Sequence, residues 1–247
     1  MTSSALAPLL DLPDVAPALT AARQAVDAAL SHRALRRSGG PLAGEVGLRS
    51  AVASAELEGH GYGLEDIRAG TITDPVVQGA LRVSAALDGL AVRWLAAPRQ
   101  VLARLHVLAA RGCAGVDEQS LGRPVASAEV AARLDALCEL LVTPGGGVPA
   151  LLRAAVVHGE LLALRPFAGP SGVVSRAAAR LTLIAEGLDP RGLIAPEVGH
   201  TAREPEYVGS ANAYSTGSPD GVRSWLKHCA AATEAAAATL VALADAG

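Results

Sequence analysis

Apolar residues recur at helical spacing along most of the chain. Near its start, Val15, Leu19 and Ala22 follow one another at intervals of four and three residues, which predicts an amphipathic helix over residues 14–36. The Gly-Gly-Pro run at 39–41 predicts a break after that helix. The same pattern predicts further helices, bounded by Pro, Gly and capping residues, at 42–58, 75–95, 98–110, 128–142, 149–164, 172–186 and 204–214, and from 221 onward.

The composition supports a helical fold class. The chain of 247 residues contains 53 Ala and 35 Leu, which are strong helix formers, and few of the aromatic residues that strands favour. We therefore expect an all-α domain over residues 41–247, preceded by an N-terminal helix within residues 1–40. The Gly-rich run at 143–147 is expected to be a simple loop, with one short β-hairpin flap as the alternative.

Charge and composition exclude several functional classes. A chain that is 51% apolar with a net charge of −3 is not of the disordered type, and it lacks the basic excess of a nucleic-acid binder. The most apolar stretches carry charges, such as Glu160 and Glu234, so no membrane span is predicted. Three widely spaced cysteines without a Cys-x-x-Cys pair suggest no metal site. These features predict a cytoplasmic protein that binds neither nucleic acid nor membrane.

One segment stands apart from this apolar scaffold. Residues 158–176 contain the single Phe of the chain, Phe167, within a short Pro- and Gly-rich loop between two very apolar predicted helices. The first turn of the second helix would present free backbone N–H groups to that loop, and such a terminus favours anions. Arg165 would lie at the mouth of this site. The segment is the candidate functional site.

The segment resembles the Fic (Fido) family motif. In that family a helix carrying His-x-x-Phe-x-x-Ile ends in His-Pro-Phe-x-(Asp/Glu)-Gly-Asn-Gly-Arg-x-x-Arg. His158 stands at the upstream His, Pro166 and Phe167 match the Pro-Phe pair, Gly172 matches the second Gly, and Arg176 matches the last Arg. The resemblance implies the helical Fic fold with the motif region at 149–187.

The motif is degenerate at the positions that carry chemistry in the family. Arg165 stands at the catalytic His, and Gly169 replaces the acidic residue. Pro170 and Ser171 replace the first Gly and the Asn, and Val173 replaces the first Arg. No position of the catalytic set is therefore intact.

A second segment also resembles the family. Ser54 and Glu58, followed by Gly, match the inhibitory-helix pattern (Ser/Thr)-x-x-x-Glu-(Gly/Asn). Residues 203–207, Arg-Glu-Pro-Glu-Tyr, resemble the helix with an Arg and a Tyr that many members have, with one residue more than its Arg-x-x-Tyr spacing. In members with an N-terminal inhibitory helix, the Glu pairs with the last Arg of the motif and blocks productive nucleotide binding. The resemblance thus implies a pair between Glu58 and Arg176, which without a nucleotide would be a structural ion pair.

The substitutions remove each role of the family's reaction, the transfer of AMP from ATP to a protein hydroxyl with Mg²⁺. Arg165 stays protonated and cannot act as a general base. Gly169 offers no carboxylate to a metal, Pro170 has no N–H for a phosphate, and Val173 removes a bidentate donor. We therefore expect no standard nucleotidyl transfer, no metal and no cofactor.

Three hypotheses follow for the function. The first is a pseudoenzyme that acts through an unknown protein partner, whether as a monomer or a homo-oligomer. The second is a Fic-type nucleotidyltransferase or phosphate-binding enzyme with altered chemistry centred on Arg165 and Arg176, with Ser171 and Gly172 as further contacts; only this hypothesis would require ATP and Mg²⁺. The third is an unrelated helical bundle.

Three site residues or segments also have simpler interpretations. His158 is expected to be a hydrogen-bonded core histidine. Arg165 is expected to be a structural, salt-bridged arginine, with anion binding as the alternative. Residues 212–220 are expected to be a connecting loop, with a pocket-lining role as the alternative.

Overall fold

The computed structural model describes residues 5–36 and 39–246, and it places most of them in α-helices. The described residues contain no β-strand, which confirms the all-α prediction. Short 3-10 turns occur at Ala7–Asp11, Arg33–Arg36 and Glu118–Ser120. The helices, in chain order, are α1 Val15–Leu30, α2 Gly39–Glu56, α3 Leu64–Arg68, α4 Pro75–Trp94, α5 Pro98–Ala110, α6 Ala128–Val142, α7 Ala150–Leu164, α8 Ser171–Ala185, α9 Pro196–Ala202, α10 Glu204–Ser215 and α11 Pro219–Ala246.

Capping residues explain several helix starts. The Asp74 carboxylate accepts hydrogen bonds from the backbone N–H groups of Val76 and Val77 at 2.8 and 3.2 Å, and Pro75 opens α4 where its missing N–H costs nothing. The Ser127 hydroxyl accepts from the Val130 N–H and caps α6 in the same way. These two predicted helix starts are confirmed.

The N-terminal boundaries differ from the prediction. The helix predicted over 14–36 ends at Leu30, and a 3-10 turn follows. The break predicted at 39–41 is wrong, since these residues form the first turn of α2, where a proline is tolerated because its N–H would have no intrahelical acceptor. Residues 1–4, 37 and 38 of the predicted segment 1–40 lie outside the described residues.

Other boundaries were also incomplete in the prediction. Residues 143–147 form a loop between α6 and α7, so the hairpin alternative is not realised in the described part of the chain. The short helices α3 and α9 were not predicted at all.

The hairpin of α7 and α8 lies at the centre of the molecule. On one side, residues such as Leu152 and Leu183 pack into an apolar cluster with α1 and α11. On the other side, Val157, Leu161 and Leu181 pack into a second cluster with α4 and α5. Because both helices are covered on both sides, their sequences are apolar nearly all round rather than along one stripe. The loop that joins them is thereby held on a rigid support.

Helix α11 is the one helix of the described residues that is long and apolar enough to span a membrane, and 44% of its apolar 18-residue stretch is buried inside the protein. Its buried residues, among them Trp225 and Leu240, join the same cluster as α1. Core helices of folded proteins have this composition, so α11 is accounted for by its packing.

Candidate functional site

The loop at 165–171 opens into a cleft of about 620 Å³ at the end of the α7–α8 hairpin. The cleft is bordered by the end of α2, by α7, by the start of α8 and by α10. Its lining residues are Leu57, Glu58, Leu162, Ala163, Arg165, Phe167, Gly169, Ser171, Gly172, Arg176, Tyr207, Val208, Ala211, Asn212 and Ser215. The structure thus brings the motif residues and the Ser54–Glu58 segment to one place.

Arg165 ends α7 in the left-handed conformation, with φ 44° and ψ 59°. Its N–H bonds to the Leu161 carbonyl, which closes the last turn of the helix. The side chain is exposed on the cleft wall, and its guanidinium forms no hydrogen bond or ion pair within the described residues. The expectation that Arg165 is a structural, salt-bridged arginine is therefore wrong for this structure.

Phe167 anchors the loop to the core through a residue that sequence reasoning missed. Its ring is buried and stacks on the fully buried His106 of α5, with centroids 4.8 Å apart. The Gly122 N–H donates to His106 Nδ1 at 3.0 Å, so Nε2 carries the proton and donates to the Ala168 carbonyl at 2.8 Å. Burial lowers the pKa of His106, which keeps this neutral form.

Two further hydrogen bonds fix the loop. The Val125 N–H donates to the Pro166 carbonyl at 2.9 Å, and the Ser171 hydroxyl donates to the Phe167 carbonyl at 2.9 Å. Since three consecutive carbonyls, at 166–168, are bonded, the loop is a preformed element of the cleft. Ser171 is engaged in this support as well as lining the cleft.

Glu58 reaches the cleft because α2 ends directly before it. Gly59 has φ +85°, a conformation that favours glycine, and its N–H bonds to the Glu56 carbonyl. The Glu58 carboxylate accepts from Arg176 Nη2 at 2.8 Å. Residues separated by 118 positions therefore meet, as the resemblance implied.

Arg176 lies one turn inside α8 and is 2% exposed. Its Nε donates to the Ser54 hydroxyl at 3.0 Å and its Nη2 to the Ser54 carbonyl at 2.7 Å. Its Nη1 donates to the Tyr207 hydroxyl at 3.1 Å, next to the bond with Glu58. Every nitrogen of the guanidinium thus has a partner from within the protein, which makes this buried charge tolerable.

Tyr207 links the site to a group of buried histidines. His158 Nε2 lies 3.0 Å from the Tyr207 hydroxyl, and burial, with the Arg176 charge as a smaller cause, holds the pKa of His158 well below its usual range. His158 is thus a hydrogen-bonded core histidine, as expected. Next to it, His200 Nδ1 and His228 Nε2 share a hydrogen bond of 2.9 Å, and burial lowers the pKa of His228 to about 4.

The start of α8 is occupied by the protein's own carboxylate. A Cβ at Gly172 would overlap Glu58 Oε1, so Glu58 lies against the first turn of α8, where the helix dipole favours a negative charge. Glycine at position 172 is what gives the carboxylate this room.

The groups at the loop do not fit magnesium-bound ATP. Gly169 has no carboxylate, and with φ +78° and Val116 Cγ2 2.8 Å from a would-be Cβ, a side chain here would be strained and would have to displace Val116. Pro170 has no N–H to donate, and Val173 is an apolar side chain buried in the core. The described residues also contain no group of three His, Cys, Asp or Glu side chains that could hold a metal ion.

Helix α10 forms the wall of the cleft opposite the loop. Asn212 and Ser215 lie on this helix and line the cleft, and α11 begins at Pro219, so only residues 216–218 of the predicted segment 212–220 form a connecting loop. Val208, 48% exposed, lies on the same wall. Sequence reasoning missed Val208, which directly follows Tyr207 in the chain, whereas Asn212 belongs to the segment with pocket lining as its alternative role.

Comparison with known proteins identifies the fold. No family model matches the sequence, and no curated protein matches it. The structure is similar to that of a Fic family protein from Desulfovibrio desulfuricans G20, with a TM-score of 0.75 and 19% identity over 94% of this chain and 75% of that chain. It is also similar to a segment of Fic-1 from C. elegans, with a TM-score of 0.68 and 18% identity over 97% of this chain and 75% of that chain. The chain therefore has the Fic (Fido) fold, and the hypothesis of an unrelated helical bundle is wrong.

Proposed function

We propose that this chain is a Fic-fold pseudoenzyme, which does not transfer nucleotides and uses its cleft to bind a protein partner. The observation that carries the proposal is Arg165. At the position where the Fic family, which this segment resembles, has its catalytic base, the cleft presents a permanently charged guanidinium. This group cannot accept a proton from a hydroxyl.

The side of the cleft formed by the start of α8 supports the same proposal. Glu58 lies against the start of α8 and holds Arg176, so the groups that would bind phosphates are engaged with each other. Pro170 and Val173 offer no replacement donors. In this proposal the protein requires neither ATP nor a metal ion, and it acts in the cytoplasm without contacting nucleic acid or membrane.

The test is an AMP-transfer assay that removes the effect of Glu58. Purified wild type and Glu58→Ala are incubated with Mg²⁺, an alkyne-tagged ATP analogue and lysate proteins, and incorporated AMP is detected on a gel. The Glu58→Ala variant is included so that a transferase silenced only by this carboxylate would be revealed. We expect no labelling by either protein. If either protein incorporates AMP and the Arg165→Ala substitution abolishes this labelling, the proposal is wrong and the altered-chemistry hypothesis is favoured.

Calorimetry addresses the phosphate-binding alternative. Titration of wild type with ATP, with and without Mg²⁺, is expected to give no binding heat, because the Arg176 guanidinium is already fully partnered. Heat that is lost in both Arg165→Ala and Arg176→Gln would show that these two arginines bind a nucleotide and would argue for an enzyme.

A further inference from the structure

The conformation of Arg165 is unusual for its residue type. Helices that end in the left-handed conformation generally do so at glycine, because a side chain there costs about 1–2 kcal/mol. Among the described residues only Asp14 and Arg165 adopt a positive φ without being glycine. Asp14 forms ion pairs with Arg223 and Lys227, whereas the Arg165 guanidinium has no partner in the described structure. Strain retained for an unpartnered side chain points to a role in binding.

The charge of the cleft defines what Arg165 can receive. Its charged lining residues are Glu58, Arg165 and Arg176, and the first and last of these neutralise each other at 2.8 Å. One free positive charge remains. A single carboxylate matches it in charge and in bidentate geometry, whereas a triphosphate would need several more cations or a metal.

The remaining walls of the cleft suit a peptide. Leu162 of α7 and Val208 of α10 offer apolar surface in the same cleft as Arg165. The Asn212 side-chain amide has no partner in the described structure, so it can donate to and accept from a backbone peptide group. An open cleft with one cation, one free amide and two aliphatic walls is complementary to a short extended segment.

We propose that the cleft binds a peptide segment of a partner protein that carries one Asp or Glu, whose carboxylate pairs with Arg165, and a neighbouring aliphatic side chain, which packs on Leu162 and Val208. This inference rests on the proposed function, since it assigns the partner of the same cleft. Glu58 and Arg176 stay paired in the complex and form its floor.

The test begins with a display library of random nine-residue peptides selected against the full chain. We expect the enriched peptides to share one Asp or Glu with an aliphatic residue within two positions of it. The same selection with the Arg165→Glu variant is expected to enrich Lys or Arg instead. Since Arg165 is exposed and unpartnered, this variant should fold, which circular dichroism checks. Peptides without an acidic residue, no enrichment, or the same consensus for both proteins would overturn the inference.

Binding constants then separate the contributions of charge and apolar contact. For a synthetic peptide of the consensus, fluorescence polarisation is expected to give a Kd about tenfold weaker for Arg165→Ala and several-fold weaker for Val208→Ser, since each removes one anchor. The matched controls are Arg104→Ala and Val92→Ser, both exposed on other helices and absent from the cleft. An effect of the controls equal to that of the cleft variants would contradict the assignment.

A phosphorylated peptide decides between the two anion chemistries. A peptide with phosphoserine in place of the acidic residue is expected to bind no more tightly than the original, because a single guanidinium faces it. Tighter binding by tenfold or more would replace the carboxylate by a phosphate and overturn this inference. Either result leaves the proposed function intact, since only the AMP-transfer assay addresses the absence of catalysis.

Discussion

Gly172 allows the contact between Glu58 and Arg176 to be broken without changing either residue. A Cβ at position 172 would overlap Glu58 Oε1 and would lie 2.7 Å from Arg176 Nη1. Glu58 is partly exposed and can turn into the cleft, whereas Arg176 is buried and held by Ser54 and Tyr207. The Gly172→Ala variant should therefore expel the carboxylate and force only a small shift of the Arg176 guanidinium.

The magnitude follows from the bonds involved. The lost hydrogen bond joins two charged groups, which is worth roughly 1.5–3 kcal/mol, and alanine regains about 0.5–1 kcal/mol over glycine within a helix. We expect Gly172→Ala to lower the free energy of unfolding by about 1–2 kcal/mol. Urea denaturation followed by the fluorescence of Trp94 and Trp225 measures it.

A double-mutant cycle makes this prediction specific. In the Glu58→Ala background the carboxylate is already absent, so Gly172→Ala should cost at least about 1 kcal/mol less than in wild type. The control is Gly44→Ala in α2, where an added Cβ meets nothing within 4 Å and should stabilise the protein slightly. An equal cost of Gly172→Ala in both backgrounds would refute the assigned contact.

Three further predictions concern single groups. Because burial lowers the pKa of His228 to about 4 from 6.5, the unfolded chain binds more protons between these pH values, and the free energy of unfolding falls as the pH drops from 6.5 towards 4, by at most about 3 kcal/mol from this residue. Urea denaturation at pH 7 and at pH 5 should show a smaller difference in the free energy of unfolding for His228→Asn than for wild type. A wild-type stability that does not depend on pH would contradict this prediction. Arg165→Gly should raise the free energy of unfolding by up to about 1 kcal/mol, since it relieves the left-handed strain, while peptide binding weakens as in Arg165→Ala. A destabilised Arg165→Gly would remove the strain argument. Arg165→His should give no AMP incorporation in the labelling assay, because the loop still lacks a carboxylate at Gly169.

The fold could be predicted where local chemistry determines it. As N-cap residues, Asp74 and Ser127 predict the starts of α4 and α6, and the apolar runs on both sides of the loop at 165–171 predict α7 and α8. Helix α9 could not be predicted in this way, because Gly199 looks like a helix breaker in the sequence. In the structure a Cβ at Gly199 would overlap the Ala232 carbonyl, so this glycine is required by the close approach of α9 to α11.

The site could be predicted only in part. Helical spacing places Glu58 and Arg176 on helices, but it does not state which distant residues meet, and only the family resemblance indicated that they do. His106 lies on an apolar helix face like any core residue, and nothing near it in the sequence indicates that it stacks on Phe167. Such contacts depend on how helices pack, which local periodicity does not specify.

The arginines at the two ends of the loop between α7 and α8 differ in how far the protein itself completes their hydrogen bonding. This difference decides where a ligand gains free energy on binding. At the α8 end, Glu58 and Tyr207 complete the hydrogen bonding of Arg176, so an incoming anion must first displace a carboxylate from a buried charge. Losing this hydrogen bond between two charged groups costs roughly 1.5–3 kcal/mol. At the α7 end, the Arg165 guanidinium is exposed and gives up no protein contact when it binds. A ligand therefore gains most at Arg165, where the proposed peptide carboxylate would bind.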